Sequence, residues 1–390
     1  MKQYNPLRSA DMRIHNQNII LSRIYEARER GISQSELVQE TGLKAPTIFR
    51  IFSSLEEQGL IEIFNDSGDH DTEVRKGRRP VAYTVIKDAL YTIGLEFWAS
   101  SISLGVFNFN GTRIFSRIEP LKGDIDSAGI TRLIVRLVND ALASLKISRE
   151  KVPGIGVAAS GQVDVNQRSV IFYPRIRGMK EVFLAEALEK ELGISVLLHN
   201  NCSAIALSEY RYGNYDHRGS MFTFLLRAGV NGAFVDEKGI YITSQGTTLE
   251  TGHVPIDSRG PQCSCGTHGC LEAYLRELDK KNVEQGLPLF SGFDERLAAG
   301  DRDAKKTMTA AADCLFVSMK SIMRFLTPRS FLIIGNGELI SGHIATALRK
   351  RWASEPDAFV PDPPQVFSHA YDPLVSQRGA SDLVISYYFS

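Results

Sequence analysis

Cys263, Cys265 and Cys270 place three thiols within eight residues of a chain that has five cysteines. Thiolates that close together are soft donors for a tetrahedral metal, and three thiolates with one imidazole make a structural zinc site. His253 or His268 could supply the imidazole. Four protein ligands leave no open coordination position, so such a zinc would hold structure and would not activate substrate. Gly266 and Gly269 let the chain turn tightly between the ligands. Cys202 and Cys314 stand apart and read as small buried side chains. A second chemistry is written at Arg75-Lys76-Gly77-Arg78-Arg79-Pro80, where four basic residues in six suit phosphates or a narrow minor groove. Asp66, Asp69, Asp71 and Glu73 directly precede it, so the acidic stretch is expected to turn away from DNA and the affinity to be salt-sensitive.

The basic cluster needs a module to carry it, and the first ninety residues supply one. His15 to Ile61 reads as three short helices. Ile19, Ile20, Ile24 and Ala27 give the first an apolar stripe that Gly31 ends. Ser33-Gln34-Ser35-Glu36 has the spacing of a capping box and opens the second helix. Thr41-Gly42-Leu43-Lys44 is a four-residue turn, and Pro46 fits the first position of a third helix whose buried face is Ile48, Ile51, Phe52 and Leu55. Lys44, Ala45, Pro46, Thr47 and Arg50 then face outward, with Arg50 able to grip guanine through two hydrogen bonds. Strands at Gly59–Glu62 and Val81–Val85 would flank the basic cluster as a two-stranded wing. Arg75, Lys76, Arg78 and Arg79 would be its phosphate contacts.

The whole chain has 390 residues, of which 43% are hydrophobic and 23% charged, which excludes disorder over most of its length. No run approaches 18 apolar residues and the first fifteen hold no signal-peptide core, so no membrane partner and a cytoplasmic location are expected. The 45 basic and 45 acidic side chains cancel, so any surface that attracts nucleic acid must be local.

From residue 90 the pattern becomes strands alternating with helices. Tyr91–Phe97, Ser101–Asn108 and Thr112–Ile118 read as strands, followed by a helix at about 127–146 and a strand at 153–159. The order returns with a helix at about 202–213, strands near Met221–Leu226, Gly232–Val235 and Ile240–Ile242, a helix at 303–326 and a strand at Phe331–Ile334. A β-β-β-α-β plan used twice implies two lobes with a cleft between them. Met308, Leu315, Met319 and Met323 on the long helix read as core.

These residues resemble the ROK family (repressor, open reading frame, kinase), whose fold is that of actin and hexokinase. The most specific element is Glu250-Thr251-Gly252-His253, then Gly260-Pro261-Gln262-Cys263-Ser264-Cys265-Gly266-Thr267-His268-Gly269-Cys270-Leu271-Glu272. The module ahead of it marks the transcriptional-regulator branch. The expected fold class is therefore α/β: a winged helix-turn-helix at 1–88, then a two-lobed, ribonuclease H-like ROK domain at 89–390. Its lobes are expected at about 89–195 and 196–390, with the zinc loop at 250–272. The family pattern puts its ligand at the Gly-His pair, which favours His253 with Cys263, Cys265 and Cys270.

The resemblance also sets a test for kinase activity. Family kinases carry Asp-x-Gly-Gly-Thr, Gly-Thr-Gly-x-Gly and Glu-Asn-Asp, the last Asp being the base that accepts the sugar proton. Here the matching stretches are Glu96-Phe97-Trp98-Ala99-Ser100, Arg227-Ala228-Gly229-Val230-Asn231 and His199-Asn200-Asn201. Trp98 fills space that phosphate needs, and Asn201 has no useful basicity. The chain is expected not to be an enzyme. Sugar contacts implied by the resemblance are Gly161, Asn200, Asn201, Glu250, His253 and Glu272. The reading is a sugar-sensing repressor that binds double-stranded operator DNA as a homodimer or homotetramer. The alternatives are control by a partner protein in place of the sugar, and an ATP-dependent sugar kinase with an unrelated base.

Overall fold

The computed structural model describes residues 9–65, 81–121 and 125–390. Arg75, Lys76, Arg78 and Arg79 lie outside the described residues, as do Asp66, Asp69, Asp71 and Glu73. Helix α1 (Ser9–Glu26) buries Ile20, Leu21 and Ile24, and begins earlier than its apolar stripe indicates. Strand β1 (Ile32–Ser33) leads into α2 (Gln34–Thr41), whose capping box is present as expected: Glu36 N–H donates to Ser33 Oγ at 3.2 Å and Ser33 N–H to the Glu36 carboxylate at 2.8 Å. Gly42 closes α2 at φ 69°, the left-handed conformation that glycine takes at least cost. Helix α3 (Ala45–Glu57) follows, with Lys44 as its N-cap, so Pro46 occupies the second helical position and not the first. Ile48, Ile51, Phe52 and Leu55 are its buried face, as the spacing requires.

Strands β2 (Ile61–Ile63) and β3 (Ala82–Val85) pair antiparallel, but the expected two-stranded wing is a three-stranded sheet in the order β1-β3-β2. Two residues before a capping box are too short a run to announce a strand. They pair because Gly31, at φ +68°, turns the chain back from α1 onto β3.

The remaining chain makes two five-stranded sheets of identical plan. In the first, β4 (Tyr91–Phe97), β5 (Ser101–Asn108) and β6 (Arg113–Pro120) form a meander, and α4 (Ser127–Leu145) returns the chain to β7 (Ile155–Ala159), parallel to β4. A small sheet of β8 (Gln162–Asp164), β9 (Ser169–Phe172) and β10 (Lys180–Val182) precedes α5 (Leu184–Leu192) and β11 (Val196–Asn200). Helix α6 (Asn201–Tyr212) leads to the second meander, β12 (Ser220–Leu226), β13 (Val230–Asp236) and β14 (Gly239–Ile240). The cysteine loop, α7 (Leu271–Leu278), α8 (Lys280–Glu284), α9 (Phe293–Ala298) and α10 (Arg302–Phe325) come before β15 (Ser330–Gly335). Then follow α11 (Glu338–Ser354), β16 (Gln365–Ala370) and α12 (Pro373–Tyr388). The sheet orders, β6-β5-β4-β7-β11 and β14-β13-β12-β15-β16, are the same sequence of moves made twice. Met308, Leu315, Met319 and Met323 lie in the second lobe's core, as read.

Strand β11, expected to open the second lobe, pairs with β7 over all five of its residues and so belongs to the first sheet. The helices after β11 and β16 then exchange lobes. Helix α6 packs on β12 and β13 of the second sheet, while α12 packs on β4, β5 and β7 of the first and against α6. These contacts are backbone to backbone. A Cβ on Gly156 would stand 1.7 Å from the Ala380 carbonyl oxygen, on Gly94 1.8 Å from that of Gln377, and on Gly379 1.9 Å from that of Ala204. The end of α12 also reaches the N-terminal module. Ile385, Phe109 and the side chains of Tyr388 and Phe389 join its core, and the Phe389 ring lies 5.4 Å from that of Tyr25.

Candidate metal centre and interlobe cleft

The cysteine loop is held by its own short bridges. Cys263 N–H donates to the Thr267 carbonyl, and Ile256 N–H to that of Gly269, each at 2.8 Å. Gly266 sits at φ +92° and Gly269 at +74°; a Cβ on Gly269 would fall 1.6 Å from the Asp257 carbonyl oxygen. These turns bring His253, Cys263, Cys265 and Cys270 together, with their donor atoms all within 4.8 Å of one another. His253 Nδ1 lies 3.4 Å from Cys263 Sγ, and Cys265 Sγ 3.6 Å from Cys270 Sγ. A tetrahedral zinc with ordinary bond lengths would set those separations at about 3.6 and about 3.8 Å. The four residues therefore fit the ion. His268 is exposed and outside the cluster. The Thr267 hydroxyl contacts Cys265 Sγ at 3.1 Å and Cys270 Sγ at 3.2 Å. The hydrogen bond from Thr267 holds the Cys265 thiol down at about 6, while burial pushes Cys270 up to about 11. Cys202 is fully buried and Cys314 half-buried, both with thiols that burial shifts up, as inert packing residues should be.

The residues expected at a sugar fall into two groups. Asn200 caps α6 by accepting from Cys202 N–H at 2.8 Å, and its amide donates to the Gly161 carbonyl at 2.9 Å. Gly161 itself turns at φ +89°. Asn201 is wholly buried and donates to Ser160 Oγ at 3.2 Å and to Glu96 at 3.3 Å. On the other lobe, His253 N–H donates to the Glu250 carbonyl at 3.0 Å, and Glu272 accepts from Val230 N–H at 2.9 Å. Burial raises the Glu250 carboxyl, His253 opposes that and Glu272 adds to it, so these three form one electrostatic cluster beside the cysteines.

Between the lobes lies an arrangement of which the sequence showed only parts. The Arg227 guanidinium is clamped between two rings, 3.7 Å from the Trp98 centroid and 3.6 Å from that of Tyr371. Its Nη1 stands 3.7 Å from Glu96, an ion pair without hydrogen-bond geometry. Glu96 accepts instead from the Tyr371 hydroxyl and from Asn201. Burial raises its carboxyl above the ordinary value, and Arg227 is the strongest opposing influence. Glu96 and Trp98 come from the first lobe, Arg227 and Tyr371 from the second. The positions that match two phosphate loops thus meet as an interlobe latch. Tyr371 had no motif to reveal it; only the sheet order, which sets the end of β16 near the ends of β12 and β4, brings it there.

On the N-terminal module, Lys44, Ala45, Pro46 and Arg50 are exposed and Thr47 is half-buried. Neither Lys44 nor Arg50 makes an ion pair among the described residues. Phe49, which the sequence reading passed over, is 61% exposed on the same face. Its place between Pro46 and Arg50 at helical spacing was the available signal.

Two lobes of repeated plan with exchanged helices, behind a helix-turn-helix unit, define a sugar-kinase-type domain fused to a small N-terminal module. The family model described as ROK family matches residues 93–385, and a second, described as the B-block binding subunit of TFIIIC, matches 16–68. The chain belongs to the ROK family. It is 25% identical to a protein named putative xylose repressor from Caldicellulosiruptor sp. (strain Rt8B.4), over 84% of each chain. It is 27% identical to a glucokinase from Thermotoga maritima, over 65% of this chain and 84% of that one. A solved ROK family transcriptional regulator, described as a homolog of the Escherichia coli MLC protein, superposes with a TM-score of 0.76 at 18% identity, over 96% of this chain and 97% of that one. No described helix is long and apolar enough to cross a membrane.

Proposed function

We propose that this protein is a transcriptional repressor that binds operator DNA through α3 and senses a sugar in its ROK domain without phosphorylating it. The observation that carries the reading is the exposed start of α3, with Lys44 and Arg50 left without ion partners among the described residues while Ile48, Ile51, Phe52 and Leu55 on the opposite face are committed to the module's core. A helix so presented fits the major groove, and a dimer or tetramer would set two such helices on a palindromic site. Arg75, Lys76, Arg78 and Arg79 would add phosphate contacts. Relatives named xylose repressor favour a sugar effector, with Gly161, Asn200, Asn201, Glu250, His253 and Glu272 as its contacts. Against phosphoryl transfer stand Asn201, whose amide is bound to Glu96 and Ser160 where a base is required, and the Trp98–Arg227 pair where phosphate must pass. Zinc held by His253, Cys263, Cys265 and Cys270 would fix the loop that carries Glu250 and Glu272. Its role would be to hold geometry.

Arg50→Ala should weaken operator binding about 10-fold or more, the scale of a lost two-bond base contact, while leaving sugar binding unchanged. Equal operator affinity in a gel-shift titration would refute the recognition helix. A thermal-unfolding screen against D-xylose, D-glucose, N-acetylglucosamine and ATP addresses the sensor: a sugar at 100 times its dissociation constant adds about 2.7 kcal/mol, a shift of a few degrees. A shift with ATP would reopen the kinase reading. For the metal, Cys265→Ser should lower zinc from one per chain to less than about a tenth after dialysis. Retention of full zinc in that variant, by atomic absorption, would overturn the ligand set.

A further inference from the structure

A cavity of about 970 Å³ opens where the N-terminal module meets both lobes. Its walls come from the end of α1 and the turn after it, from the exchanged helices α6 and α12, and from the β13–β14 hairpin. None of the residues assigned above to zinc, sugar or DNA lines it. The volume suits a small-molecule ligand, and domain junctions are where such sites concentrate.

The lining is specific about chemistry. Leu207, Ile240, Leu383, Ile385 and Phe389 supply apolar and aromatic surface. Four acidic and four basic side chains also line it, so the cavity carries no net charge. Two of its cations already have protein partners. Arg28 donates to the Asn110 carbonyl at 2.6 Å and to that of Tyr25 at 2.9 Å, and Arg211 donates to Ser386 Oγ at 2.8 Å and lies 3.8 Å from Asp382. These contacts compete with an anion for both guanidinium groups, and the four acidic side chains of the lining would repel one. One polar group is different. His199 is 6% exposed, and its Nδ1 accepts from Asn200 N–H at 3.0 Å, which places the ring proton on Nε2. Burial lowers its pKa to about 4, so the ring is neutral near pH 7. Nε2–H has no partner among the described residues. It is left to the cavity, where a ligand oxygen could accept from it.

We propose that this cavity is a second ligand site, for a neutral ring-bearing molecule of about disaccharide size that offers an oxygen acceptor to His199, as an aryl glycoside does. Its apolar ring packs among Leu207, Ile240 and Phe389. The assignment is independent of whether the chain binds DNA.

Calorimetric titration of the full chain with p-nitrophenyl β-D-glucopyranoside and with methyl β-D-glucopyranoside tests it. The aryl glucoside should bind at least about 10-fold more tightly than the methyl glucoside. Ile242→Trp, at an exposed position on the cavity rim, should abolish that advantage, and His199→Phe should weaken it; Lys306→Ala, at an exposed position on α10 away from the cavity, should leave it intact. Absence of aryl-glucoside binding to the unmodified protein overturns the proposal. So does an aryl advantage that survives Ile242→Trp.

Discussion

Gly156→Ala should leave little folded protein. The new methyl group would lie 1.7 Å from the Ala380 carbonyl oxygen, inside any contact distance, and both partners are backbone: the middle of β7 on one side and α12 on the other. A side chain could rotate away; a central strand and a packed helix cannot without parting. The cost should exceed about 3 kcal/mol, beyond ordinary overpacking, in a molecule whose whole stability is on the order of 5–15 kcal/mol. Gly342→Ala is the matched control. Gly342 sits inside α11 with open space around its Cβ, so alanine there should stabilise by about 0.5–1 kcal/mol through helix propensity alone. Urea unfolding of the two variants should therefore move in opposite directions. Near-normal stability in Gly156→Ala would remove the close seating of α12 on the first sheet.

Arg227→Ala should be nearly as damaging, for an electrostatic reason. It would leave the buried Glu96 carboxylate with neutral partners such as Tyr371 and Asn201 and no cation, and stripping one partner from a buried pair costs about 3–5 kcal/mol. The loss should depend on pH. Burial already raises the Glu96 pKa above its ordinary 4.5, and the missing cation raises it further. The folded state then holds a proton that the unfolded chain has released, so stability is greatest below about pH 4.5 and falls as pH rises through the folded pKa. The gap between the variant and the unmodified protein should widen over that range. Arg227→Ala combined with Glu96→Gln should recover most of the loss, since no charge remains to be stranded. A double variant as unstable as the single one would show that Arg227 acts through its ring contacts with Trp98 and Tyr371 and not through its charge.

Much of the architecture was legible because it is local. Ser33 and Glu36 advertise a capping box over four residues, Gly42 and Pro46 bracket a turn, and the strands of both meanders announce themselves by apolar runs between turn residues. The Cys3His cluster was legible for the same reason: its ligands lie within eighteen residues, and the family pattern favoured His253 over His268, the residue that the fold sets beside the cysteines. What could not be read was the exchange of helices. Ser376, Gln377, Ser381 and Asp382 of α12 look like a solvated face, yet each is 3% exposed or less. Ser381 and Gln377 meet glycine-bearing strands and hydrogen-bond to Thr92 and Ser103 at 2.6 Å, while Asp382 accepts from the Tyr212 hydroxyl of α6 at 3.0 Å. Polar burial against partners almost 300 residues away leaves no periodic trace. The latch was half-visible for a related reason: Trp98 and Arg227 stood out as misfits in two phosphate loops, but nothing linear joins them to each other or to Tyr371.

The path of α12 also bears on how the molecule is made. The strands of the first sheet are complete once Asn200 has left the ribosome, but the helix that covers them, and that also completes the core around Tyr25 and Phe109, is synthesised about 190 residues later. At 5–20 residues per second that is a delay of roughly 10–40 s. During it the groove around Gly94 and Gly156 lacks its covering helix, and the N-terminal module keeps only its direct contacts with the first lobe, such as Arg28 with the Asn110 carbonyl. Nascent chains would thus carry α3 on a module whose seat is completed only as translation reaches Phe389.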